Sequence, residues 1–129
     1  AINLKKLKKR RFIEITSGYQ TIKIPLRDIV YCDISGHYVQ IHTNTFGIQR
    51  SRMSFSELNQ MLAPYPEFLM CYRGCMINMN HVEHMSDLTF FMDCGERIPF
   101  RKKDHNEILK VYSEFLFHKV REAPVRKSR

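Results

Sequence analysis

The sequence predicts a mainly β fold of short antiparallel strands with two helices, over about residues 54–62 and 104–119. Three observations carry that prediction. Short runs of alternating apolar and polar residues recur along the chain, with the two-residue period of strands. Gly- and Ser-containing pairs separate many of these runs, as turns do. No strand–helix–strand repeat interrupts the series, so nothing supplies the crossovers that parallel strands need.

The elements follow in order. Phe12-Ile13-Glu14-Ile15-Thr16 and Tyr19-Gln20-Thr21-Ile22-Lys23-Ile24 alternate on either side of Ser17-Gly18 and read as a hairpin. Pro25 lacks an N–H and ends the second run. Asp28 to Ile34 resumes strand character, Ser35-Gly36 punctuates it, and His37 to Thr43 alternates again, with His37 and Tyr38 on opposite faces. Asn44-Thr45 turns the chain into Phe46-Gly47-Ile48-Gln49-Arg50. Ser54 and Glu57 have capping-box spacing, Phe55, Leu58, Met61 and Leu62 share a helical face, and Pro64 stops the helix. Glu67 to Asn80 is apolar with polar interruptions, the pattern of a buried strand that bends. His81–Ser86, Leu88–Asp93 and Glu96–Phe100 are three further short strands, with Cys94-Gly95 as a turn. Asp104 and Glu107 then start the longest periodic element, whose Ile108, Leu109, Tyr112, Phe115, Leu116 and Val120 form an apolar stripe.

A chain of 129 residues that is 43% hydrophobic fits one domain with its own core. We assign it to residues 12–120, with 1–11 a basic linker or tail and 121–129 a basic C-terminal tail. A start without Met is expected of a piece of a longer polypeptide. No apolar run approaches a membrane span, and the opening Leu4-Lys5-Lys6-Leu7-Lys8-Lys9-Arg10-Arg11 is no secretory signal, so the expectation is a cytoplasmic protein with no membrane partner. Cys32, Cys71, Cys75 and Cys94 are expected as free thiols. Net charge is +8, which attracts polyanions, and basic residues recur at loops inside the domain: Arg50, Arg52, Arg73, Arg101, Lys102 and Lys103.

Enzyme signatures are absent: no phosphate-binding glycine loop, no dinucleotide motif, no Gly-x-Ser-x-Gly elbow and no His-Glu-x-x-His helix. The reading is a non-enzyme with no cofactor. Cys71, Cys75, His81 and His84 are zinc-ligand types, yet only five residues separate the two pairs where fingers leave about twelve. Ordinary core thiols account for the cysteines better. Arg73, two residues from Cys71, would favour a thiolate if the thiol were accessible. Met61, Met70, Met76, Met85 and Met92 lie in apolar runs and are expected in the core.

Three segments, in this order and spacing, resemble the LytTR family of bacterial DNA-binding domains. Ile24-Pro25-Leu26-Arg27-Asp28-Ile29-Val30-Tyr31, followed by Gly36-His37-Tyr38-Val39-Gln40-Ile41-His42-Thr43, is similar to the family's opening, "I-x-Y" and then "Y-V-x-I-x-T". Glu67-Phe68-Leu69-Met70-Cys71-Tyr72-Arg73-Gly74-Cys75-Met76-Ile77-Asn78 resembles "F-x-R-x-H-R-S-x-x-V-N", with Arg73, Ile77 and Asn78 at matching places. Glu96-Arg97-Ile98-Pro99-Phe100-Arg101 is similar to "I-P-V-S-R" ahead of a C-terminal helix. The match runs from about residue 12 to residue 118. Tyr72, Gly74, Met70 and Phe100 stand where the family has His, Ser, Arg and Ser.

The resemblance implies an elongated, β-sandwich-like domain of small antiparallel sheets, with loops at one edge that enter successive major grooves. It implies sequence-specific binding of double-stranded DNA, with base-reading side chains at His37, Arg73 and Arg101. Arg offers a planar fork suited to guanine O6 and N7. Lys102 and Lys103 follow Arg101 at the start of the second helix, where exposed N–H groups also favour phosphate. The implied setting is the output domain of a transcription regulator, of the two-component response-regulator kind. The implied partners are promoter direct repeats, a receiver domain in the full-length protein and a second copy on DNA. The alternative is a module that binds RNA or protein, with Tyr38 and Phe46 as stacking aromatics.

Overall fold

The computed structural model describes residues 11–122; of the expected basic segments 1–11 and 121–129, residues 1–10 and 123–129 lie outside the described residues. Strands β1 (Phe12–Ser17) and β2 (Gln20–Pro25) form the predicted hairpin, in the register Ile13↔Ile24 and Ile15↔Ile22. A 3-10 turn, Leu26–Asp28, leads into β3 (Ile29–Ser35), then β4 (Tyr38–Thr43) and β5 (Ile48–Ser51). Helix α1 (Phe55–Leu62) connects these to β6 (Phe68–Tyr72) and β7 (Cys75–Asn78). The last five strands form one sheet of order β5-β4-β3-β7-β6. A second 3-10 turn, Met79–His81, passes the chain to β8 (Val82–Ser86), β9 (Thr89–Met92) and β10 (Arg97–Pro99), a three-stranded meander. Helix α2 (His105–Glu122) follows. Every strand pairing is antiparallel.

The segment from Glu67 to Asn80, expected as one bent strand, is a hairpin. Arg73 and Gly74 make a turn between β6 and β7, Gly74 adopts φ +84°, and Tyr72 pairs with Cys75. A Gly between two apolar runs separated by two residues is the sequence signal of such a turn. All four residues of β7 are buried, so the run lacks the alternation that marks a half-exposed strand.

The central sheet is covered on both faces. On one side Cys32, Val39, Ile41 and Met76 pack with Ile13, Ile15 and Ile24 of the first hairpin and with Leu58 and Leu62 of α1. On the other, Val30, Cys75 and Ile77 pack with Phe90, Met92, Ile98 and Phe100 of the meander and with Ile108 and Tyr112 of α2. Helix α1 starts as predicted: the Glu57 N–H donates to Ser54 Oγ at 3.1 Å and the Ser54 N–H donates to Glu57 Oε1 at 2.9 Å. Helix α2 buries only part of its stripe. Ile108 and Tyr112 are inside, whereas Leu109, Leu116 and Val120 are exposed. Met70 is also exposed: it shares a sheet face with its partner Met76 but lies on edge strand β6, while Met76 and Met92 fill the core.

Candidate nucleic-acid interface

Strand pairing decides which turns share an end of the central sheet. Strands β3 and β7 are antiparallel neighbours, with Cys32 opposite Met76, so the turn that leaves β3 and the turn that enters β7 lie side by side. The first carries Gly36 and His37, the second Arg73 and Gly74. Gly74 sits so close to β3 that an added Cβ would stand 2.9 Å from Ile34 Cδ1. Val39 pairs with Ser51, which brings the end of β5, and Arg52 after it, to the same end. There Ile34, His37, Tyr38, Arg52 and Phe55 line a cleft of about 430 Å³. His37, Arg52 and Arg73 are exposed. Arg52 joined this group through antiparallel register, a relation that spacing along the chain does not display.

The Arg73 turn is well anchored. Burial, reinforced by interaction with the Cys75 thiol across the turn, pushes Tyr72 up to about 12. Burial pushes the Cys75 thiol up to about 11, against the lowering effect of the same interaction. Cys71 and Cys32 are driven further upward by burial, then by the neighbouring Cys75. Arg73 therefore does not activate Cys71, which points into the core with 1% exposure.

Arg101 stands on a different sheet. It follows β10, is exposed, and its Nε donates to Asp104 Oδ2 at 3.1 Å across a 3-10 turn, Lys102–Asp104, that leads into α2. The carboxylate expected to help start the helix is thus engaged by Arg101. Lys102 and Lys103 are exposed beside it. Farther along α2, Val111, Phe115 and Lys119 share a cleft with Glu67, Met79 and Asn80, at the end of the central sheet opposite the His37 and Arg73 turns. The start of α2 lies roughly 15 Å along the helix axis from Phe115, so the Arg101 group is well removed from that opposite end. The structure thus brings His37 and Arg73 together, while Arg101, Lys102 and Lys103 form a basic group on the segment between β10 and α2.

Other polar side chains are engaged with one another. On the outer face of β3–β5, Arg50 Nε donates to Gln40 Oε1 at 3.1 Å, Gln40 Nε2 donates to Asp33 Oδ1 at 3.0 Å, and His42 Nε2 meets the same oxygen at 2.9 Å. Of the zinc-type residues, Cys71 and Cys75 are buried, His81 is bonded to Asp93 and to the Arg27 carbonyl, and His84 stacks on Phe91. Among the described residues no three His, Cys, Asp or Glu side chains gather as a metal site. Nor, among these residues, is any helix long and apolar enough to cross a membrane. Tyr38 opens β4 and Phe46 lies beyond its other end, roughly 17 Å away along a strand, too far to serve as one stacking platform.

In class the domain is an antiparallel β scaffold that presents exposed basic turns, and the chain belongs to the LytTr DNA-binding domain family. The family's model matches residues 19–112. The fold is similar to a solved structure described as the LytTr DNA-binding domain assigned to a methyl-accepting/DNA response regulator from Bacillus cereus. The TM-score is 0.64 at 20% identity, over 79% of this chain and 96% of that one. No curated protein matches the chain.

Proposed function

We propose that this domain binds double-stranded DNA sequence-specifically, as the output domain of a bacterial transcription regulator of the two-component response-regulator type. The observation that carries the reading is the pairing of the His37 and Arg73 turns at one end of the central sheet, both side chains exposed. In this reading His37 and Arg73 enter one major groove, with Arg52 beside them on the phosphates. Arg101 enters the next groove, and Lys102 and Lys103 hold the intervening backbone. A major groove about 12 Å wide admits a turn of this size, and an Arg fork pairs with guanine O6 and N7. Two further proposals follow from the family: the target is a promoter direct repeat occupied by two copies, and a receiver domain belongs to the full-length protein.

The test is selection of duplexes from a random library by the folded domain, followed by affinity on selected and random duplex at one salt concentration. Arg73→Ala should lose roughly 1–3 kcal/mol on the selected duplex, about 5- to 150-fold, and much less on random duplex. An unchanged ratio in a folded variant would remove Arg73 from base reading.

A further inference from the structure

Asn78 and His81 bracket the short link that carries the chain from the central sheet into the meander. Asn78 is fully buried, and its Nδ2 donates to the carbonyls of Leu26 at 3.2 Å and Ile29 at 2.9 Å. Its Oδ1 accepts from the Asn80 N–H at 2.9 Å. The His81 side chain is only 11% exposed. The Arg27 carbonyl can only accept, so His81 Nε2 carries a hydrogen and donates to it, while Nδ1 meets Asp93 Oδ2 at 2.8 Å. The Asp93 N–H donates to the His81 carbonyl at 2.8 Å, which ties that pair a second time. The carbonyls of Leu26 and Ile29 are thus taken by Asn78, the last residue of β7, and that of Arg27 by His81, which alone of the two also bonds the meander.

We infer that His81, on a link whose start Asn78 pins to the turn before β3, forms a rigid joint that fixes the meander against the central sheet and so sets the DNA register between the His37–Arg73 turns and Arg101. The inference rests on the two-groove reading above, and it makes Asn78 and His81 positioning residues that touch no DNA. A base pair rises only about 3.4 Å along the helix axis, so two contact groups on separate sheets read one sequence only if their separation is held to a fraction of that. Buried packing holds the two sheets together, and directional hydrogen bonds from side chains inserted into a backbone turn fix their relative position more finely. If the joint loosens, each contact survives but the second no longer follows at high effective concentration from the first.

The experiment uses the duplex selected by the wild-type domain and two derivatives, with one or two base pairs inserted between the contacted segments. The wild type should lose about tenfold or more on either insertion, as for a lost base contact. Because His81 is at the edge of the core, His81→Ala should remain folded, which thermal unfolding and amide NMR spectra would establish. That variant should bind the selected duplex about tenfold more weakly and discriminate less than about threefold between spacings, with random-duplex affinity unchanged. His81→Gln, whose amide can still donate to the Arg27 carbonyl, should recover part of the discrimination. A His81→Ala domain that melts earlier yet keeps the full spacing penalty overturns the inference, because His81 then only supports the fold. A wild type indifferent to the insertions overturns the two-groove reading itself, and the joint's role with it.

Discussion

Gly74→Ala probes the point where fold and interface meet. Gly74 holds φ +84° in the Arg73 turn, and the new Cβ would stand 2.9 Å from Ile34 Cδ1. A left-handed conformation costs a non-glycine residue about 1–2 kcal/mol, offset by about 0.4–1 kcal/mol because alanine restricts the unfolded chain. Relieving the contact pushes Ile34 off its rotamer, at about 0.5–1.5 kcal/mol. The net loss is about 1–2 kcal/mol, which in a domain of this size lowers Tm by roughly 4–12 °C. Ile34→Val removes the clashing methyl from a side chain that is already half exposed. The double variant should therefore regain the rotamer share, about 0.5–1.5 kcal/mol, and keep the backbone share. Urea unfolding of the wild type, both single variants and the double variant measures each share. A neutral Gly74→Ala would refute the assigned turn geometry; a costly one without recovery in the double variant would place the whole cost in the backbone.

Further outcomes can be checked with standard methods. A thiol reagent should label Cys94 quickly at neutral pH, and Cys32, Cys71 and Cys75 only on unfolding, since Cys94 is exposed and the others are buried. Rapid labelling of more than one thiol in the folded domain would contradict the core assignment. Alkaline stability has a definite sign. The usual Cys75 value of 9.0 rises to about 11 in the folded domain, so between those values the folded state keeps a proton that the unfolded state has released. Stability should be flat in this respect below pH 9 and fall as pH rises towards about 11, with a smaller fall in Cys75→Ala, as urea midpoints at pH 8, 9.5 and 10.5 would reveal. Arg11 Nη2 lies 2.6 and 2.8 Å from the two carboxylate oxygens of the buried Glu67. Because Arg11 is partly open to solvent, Arg11→Ala should cost about 2 kcal/mol, below the range for a fully enclosed pair, and Glu67→Gln should reduce that cost.

Most of the scaffold was legible because its signals are local. Alternating runs and the Ser54–Glu57 capping box need only neighbouring residues, and both appear where expected. The β6–β7 hairpin was harder to read because β7 is buried along its length, which erases the two-residue period, and its turn Gly follows an Arg that looked like a mere interruption. The α2 stripe looked uniform because helical spacing records which residues share a face. It does not record that the meander covers only the first turns of that face. Within the interface, His37 and Arg73 could be named from motif positions, but their adjacency arises from antiparallel register between β3 and β7, far apart in sequence, and the place of Arg52 next to them from the register of β4 with β5. The Asn78–His81 joint depends on carbonyls about fifty residues upstream, and backbone acceptors leave no mark in a sequence.

The central claim is that two separate basic groups on one domain read two major grooves. Methylation interference at guanine N7 on the selected duplex tests it most directly, because that atom lies in the major groove and is part of the Arg–guanine pair. The account predicts interference in two segments roughly 10 base pairs apart, one helical turn. One segment should vanish in Arg73→Ala and the other in Arg101→Ala, with both variants still folded. Interference confined to a single segment, or a pattern that neither substitution changes, would contradict it.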